Sequence, residues 1–94
     1  MEAIKAIKID RKDNVAVVLG AVEKGWEVVW AKDGETSSVR ALGPIPMYHK
    51  IAVRDIPAGE PVVKYGEHIG IAAVDIPAGS HVHTHNMRNN REAL

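Results

Sequence analysis

Cysteine is absent from this chain, and so is phenylalanine. Without cysteine there is no disulfide framework and no thiolate zinc site. With no phenylalanine and only two tryptophans and two tyrosines, the apolar content consists of small side chains, mostly Val, Ile and Ala. Such a set favours β structure in thin layers. Net charge is missing too: twelve Lys plus Arg balance twelve Asp plus Glu. A neutral chain gives no electrostatic case for a nucleic-acid partner or an anionic membrane. Neutrality in a small domain does favour association, so a homo-oligomer of the isolated chain is within expectation. No apolar run approaches the about 20 residues of a membrane helix. The start, Met1-Glu2-Ala3-Ile4-Lys5, is charged and alternating, unlike a signal peptide. The expectation is a soluble, cytoplasmic chain with no membrane partner.

Ninety-four residues make one domain, near the small end of what buries its own core. Short β-type runs fill it. Ala3 to Asp10 alternate loosely, with Ile7 and Ile9 against Lys8. Val15 to Leu19 is β-branched and too short for a helix. Trp26 to Trp30 reads as another strand, with the two tryptophans on one face, in a core or at a subunit interface. Lys32 to Ser38 is hydrophilic, and its Asp33-Gly34 suits a hairpin turn. Further strands are expected at Val39–Leu42, His49–Arg54, Pro61–Tyr65, Gly70–Val74 and His81–His85. Residues 89–94 form a polar tail.

The chain repeats itself. Asp55-Ile56-Pro57-Ala58-Gly59 recurs as Asp75-Ile76-Pro77-Ala78-Gly79, and a valine follows three residues after each glycine. A weaker copy runs from Val22 through Gly25 to Val28. The pattern is a turn module: an apolar anchor, a proline at the first central turn position, and a glycine that lets the next strand depart. Two or three such copies are too few for a solenoid. A compact β fold with several similar corners fits better.

Superposing the two strong copies sets Pro61, Val63 and Tyr65 against His81, His83 and His85, while Val62 matches Val82. The core face is kept and the other face differs. On a strand the three histidines would share one face, roughly 6–7 Å apart. Such a row can bind an anion, carry protons near neutral pH, or contribute to a metal site. It is also what a solvated edge strand looks like. A flat row is poorly shaped to give three ligands to one tetrahedral ion, and no complete metal-binding set is evident in this chain alone. A small metal-binding protein using the row by itself is a further reading.

Several segments together resemble a family. The glycine corners, Tyr48-His49-Lys50-Ile51-Ala52, Val63-Lys64-Tyr65-Gly66 with Gly70, and the ending Val82-His83-Thr84-His85-Asn86 are similar to the SAF domain of altronate and galactarate dehydratases. The small subunit of sulfolactate sulfo-lyase is similar as well. The likeness is strongest over about residues 13–88. It departs at Tyr48, where glycine is expected before His-Lys, and over Gly25–Leu42.

The resemblance implies a mostly β, β-clip fold for a single SAF-like domain spanning residues 1–94. It also implies a small subunit beside a large dehydratase subunit, acting on a sugar acid. Dehydrating such a substrate needs a base, an acid for the leaving hydroxyl and a positive partner for the forming enediolate. The expected catalytic residues are His83 and His85. Expected substrate-binding residues are His49, Lys50, Lys64, Tyr65, His81 and Asn86. No metal is expected on this chain alone, although the full enzyme could use iron or manganese. Each residue also has a plain structural reading: an exposed strand histidine, a surface lysine, a tyrosine packed on the sheet. His68 reads as a loop residue. The alternatives are a sulfolactate sulfo-lyase small subunit and a non-catalytic SAF-type binding or assembly module.

Overall fold

Small β-branched residues come in short runs broken by glycine and proline, and the chain folds into short strands joined by tight corners. The computed structural model describes residues 3–89. Among them are nine strands and no helix: β1 (Ala3–Ile7), β2 (Val15–Val18), β3 (Glu27–Lys32), β4 (Glu35–Arg40), β5 (Lys50–Ala52), β6 (Pro61–Lys64), β7 (Glu67–Ala72), β8 (His81–Val82) and β9 (Met87–Asn89). Accordingly, among the described residues no helix is long and apolar enough to cross a membrane. Six strands form one sheet in the order β4-β3-β1-β2-β5-β8, and three form another in the order β6-β7-β9. All pairs are antiparallel except β1 with β3. The domain is elongated, 43 × 27 × 19 Å. This is the mostly β architecture expected of a β-clip.

The corner module occurs four times. Its anchors are Val22, Ile45, Ile56 and Ile76, all 2% exposed or less. Three residues on, Gly25, Tyr48, Gly59 and Gly79 take positive φ, from 68° to 92°. Their amides donate to carbonyls of Ala41, Val18, Ala72 and Ala52. Three residues further, Val28, Ile51, Val62 and Val82 are fully buried. Each turn closes with an amide donating three residues back, as from Glu60 to Pro57 and from Ser80 to Pro77. Pro57 and Pro77 therefore open their turns and do not occupy the first central position. Ala58-Gly59 and Ala78-Gly79 are the central pairs of type II turns.

Anchors pair across the fold, Val22 with Ile45 and Ile56 with Ile76. The second pair is locked reciprocally: the Asp55 carboxylate accepts from the Ala78 amide, and Asp75 accepts from Ala58. Each anchor pair sits in its own core. One core gathers Val18, Val22, Val28, Ile45 and Ile51 with Trp26 packed against it. The other gathers Val15, Ile56, Val62, Ile76 and Val82. Trp30 is also buried. Asn14, 1% exposed, joins the two sheets: its side-chain oxygen accepts from Val63 and its NH2 donates to the Pro61 carbonyl.

The fourth corner, Ile45-Pro46-Met47-Tyr48, carries tyrosine where the others carry glycine. Tyr48 holds φ at 68° with its side chain 68% exposed. A left-handed backbone costs a non-glycine residue roughly 1–2 kcal/mol. Glycine adds freedom to the unfolded chain, which takes back part of the gain. Tyr48→Gly is expected to raise stability by about 0.5–1 kcal/mol, read as a higher urea midpoint at unchanged slope.

Several strand boundaries differ from expectation. β1 stops at Ile7 and buries Ala6, while Ile7 and Ile9 face outward. The hydrophilic stretch after Lys32 is mostly strand, because it zips onto β3 across the Asp33-Gly34 turn. Tyr65-Gly66 makes a second hairpin of the same kind, with both residues at positive φ and Lys64 paired to Glu67. His68 is accordingly an exposed residue of β7, not of a loop. The expected strand at His81–His85 ends at Val82, where a turn begins. Met87–Asn89 then pairs with β7. The tail beyond residue 89 lies outside the described residues.

Candidate functional site

Two corners deliver the imidazoles. His49 follows the corner at Tyr48, and its amide closes that turn onto Pro46. His81 begins β8 after the corner at Gly79. Strands β5 and β8 pair Lys50 with Val82 and Ile51 with His81. Carried one residue further, this register sets His83 across from His49. The His49 Nδ1 and His81 Nε2 atoms are 2.9 Å apart, a hydrogen bond whose direction depends on the tautomers. Ring centroids lie 4.6 Å apart for His49–His83, 5.6 Å for His81–His83 and 5.2 Å for His81–His85. The histidines are therefore a cluster rather than a flat row, and His49 sits within it.

Asn86 shapes the turn that gathers them. Its side-chain oxygen accepts from the His83 amide, its NH2 donates to the His81 carbonyl, and its own amide donates to the His83 carbonyl. It is 8% exposed. Asn86 thus spends its polar atoms on the chain around the histidines.

Lys50 and the neighbouring imidazoles all disfavour a proton on these rings. Burial lowers the His81 pKa to about 4, helped by the positive charge available to His49, His85, His83 and Lys50. His83 is also held below the ordinary value, by desolvation and then by His49, Lys50 and His85. Both rings are predominantly neutral at pH 7. Lys50 is lowered by burial and by the charge of Lys64. The Lys64 ammonium lies 5.1 Å from the Tyr65 ring centre. Of the expected residues, His49, His81, His83, His85 and Lys50 come together. Lys64 reaches them through Lys50, and Tyr65 lies against Lys64. Such a neighbourhood attracts anions.

Asp13 is buried and pins the Tyr65 hairpin. Its carboxylate accepts from the amides of Ile9, Asp10 and Gly66. Burial alone would raise its pKa, but donors from Asp10, Gly66, Ile9 and Tyr65 outweigh this and hold it below the usual value. A carboxylate lowered on folding stabilises the fold above its unfolded pKa of about 3.9. That stabilisation is lost as pH falls through the lower folded value. Asp13→Asn should lower stability at pH 7 by about 2–3 kcal/mol and flatten its fall below pH ~4. Urea melts at stepped pH check both.

The sequence matches the altronate/galactarate dehydratase SAF domain over residues 4–90. It is 46% identical to an altronate dehydratase of Escherichia coli K12 over 88 residues, which is 94% of this chain and 17% of that protein. It is 38% identical to the (2R)-sulfolactate sulfo-lyase subunit alpha of Chromohalobacter salexigens over 85 residues, 87% of this chain and 90% of that subunit. The corresponding subunit of Paracoccus pantotrophus is 40% identical over 63 residues, 67% of this chain and 94% of the subunit. The chain spans about one sixth of the length of the altronate dehydratases it matches. With the family matched across nearly all of its residues, the chain belongs to the SAF domains of altronate and galactarate dehydratases.

Proposed function

We propose that this chain is the small subunit of a cytoplasmic sugar-acid hydro-lyase of the altronate/galactarate dehydratase type. It docks on a large catalytic subunit and carries the histidine cluster into a shared active site. The observation that carries the reading is the gathering of four imidazoles, His49, His81, His83 and His85, with the Lys50 ammonium close enough to act on two of them. A sugar acid is anionic, and its dehydration moves protons at neutral pH. His83 and His85 take the proton-handling roles, while Lys50 and Lys64 face the substrate carboxylate, supported by His49, His81, Tyr65 and Asn86. A divalent metal, iron or manganese in the full enzyme, would supply positive charge for the forming enediolate. This chain's imidazoles are of the donor type such ions accept.

The matches to subunits alpha support a second leaving group. There a domain of this size stands as a subunit of a sulfo-lyase, so the same docked arrangement could expel sulfite from sulfolactate. One experiment addresses both readings. The tagged chain is captured from its source cells, its partner identified by mass spectrometry, and the complex assayed on hexonates, hexarates and sulfolactate. A large dehydratase-type subunit at near-equal amount, with turnover of a sugar acid, is the expected result. Turnover of sulfolactate alone moves the assignment to the sulfo-lyase. Recovery of the chain without a partner overturns the subunit reading and leaves a non-catalytic binding module.

A further inference from the structure

We propose that His49, His81 and His83 form a binding site for one divalent transition-metal ion. Among the described residues they make a group whose ligand nitrogens all lie within 4.8 Å of one another. The closest pair, His49 Nδ1 and His81 Nε2, is 2.9 Å apart. With metal–nitrogen bonds of about 2.0–2.1 Å, neighbouring nitrogens of a tetrahedral site lie about 3.3 Å apart. The first pair needs to open by only about 0.4 Å to reach this spacing. The third ligand, His83, sits on the turn held by Asn86, with its nitrogen within 4.8 Å of the other two.

The chemistry of the set agrees with its geometry. Imidazole suits zinc, iron, copper and nickel, and the hard cations calcium and magnesium prefer oxygen. Three protein ligands leave at least one position open, as in catalytic rather than structural zinc sites. All three ligands are neutral, so the bound ion keeps its full charge and its open position favours an anion such as a carboxylate. Ligation selects one pair of tautomers: His49 with its proton on Nε2 and His81 with its proton on Nδ1. The hydrogen bond between them is replaced by two metal bonds with no proton released. One nitrogen, that of His49, comes from outside the row of His81, His83 and His85, which is why the row alone did not indicate this set.

The site stands on the geometry of this chain. Only one consequence rests on the lyase reading: with the ion bound, His83 gives up the proton-handling role and leaves it to His85 alone. The test uses zinc and the EDTA-treated 94-residue chain, followed by calorimetry and by imidazole nitrogen spectra. The expected result is one ion per chain, with shifts at His49, His81 and His83 and none at His68. His81→Ala and His83→Ala should each weaken binding by about 100-fold, while His68→Ala leaves it unchanged. Backbone amide spectra establish that each variant is folded, and His83, on a turn, provides the safer one. Binding weaker than millimolar, half an ion per chain, or undiminished affinity in both folded ligand variants overturns the site. A chain that binds zinc but captures no large subunit keeps the site and loses the lyase reading. A complex that turns over a sugar acid while the chain binds no ion does the reverse.

Discussion

Replacing both His83 and His85 with alanine is expected to reduce turnover of the assembled lyase by about 10²–10⁴-fold, with the fold intact. The size follows from what positioned acid–base groups contribute to proton transfers. The intact fold follows from exposure. His85 is exposed, His83 is half-buried at the start of a turn, and the bond that fixes this turn uses the His83 backbone amide. Neither side chain belongs to either core. The measurement is sugar-acid turnover by the complex beside a thermal melt of the double variant. Full activity would remove the histidines from the reaction. A complex that no longer assembles would show them to be docking residues instead.

Gly79→Ala is expected to be the most damaging single change among the corners. A Cβ there would lie 2.2 Å from the Arg40 carbonyl oxygen and 3.2 Å from the Leu42 side chain. The backbone at φ 92° is also one that alanine rarely adopts. Neither the Arg40 carbonyl nor the Gly79 carbonyl, which accepts from the Leu42 amide, can retreat cheaply. The expected loss is about 3–4 kcal/mol, a large part of the roughly 5–15 kcal/mol that a domain possesses. Gly59 occupies the equivalent corner position at φ 88°, with nothing within 4 Å of its would-be Cβ. Gly59→Ala should cost only about 1–2 kcal/mol. Urea unfolding of the two variants separates crowding from backbone strain, and equal losses would show that the close approach at Gly79 relaxes freely.

The corners were the legible part of the fold because their demands are local. An anchor must be apolar, a left-handed position favours glycine, and the strand that follows must bury its second residue. Asp-Ile-Pro-Ala-Gly states this twice. The fourth copy was hidden by one residue, Tyr48 in the glycine slot. Aligning Ile45-Pro46 with Ile56-Pro57 would have revealed it, and with it the return of His49 beside His81. The histidine row misled for the opposite reason. Alternation at His81, His83 and His85 has the strand period, but the bonds that end the strand come from Asn86, a residue without a period to follow. Asp13 and Asn14 look like turn residues because they are polar. Their partners, Gly66, Pro61 and Val63, lie about fifty positions away, beyond what local pattern can indicate. The membership in the dehydratase SAF family was readable from the histidine, lysine and glycine segments taken together.

The histidine cluster draws on corners of both cores. His49 leaves the corner of the first core, and His81 leaves a corner of the second. Whatever bridges the two rings is therefore a rivet between halves that otherwise share strands and a few buried polar links. A ligand held only by the native arrangement stabilises it by mass action, about 2.7 kcal/mol at a hundred times its dissociation constant. The melting temperature of this small domain is thus a gauge of what occupies the histidine cluster, readable without any turnover at all.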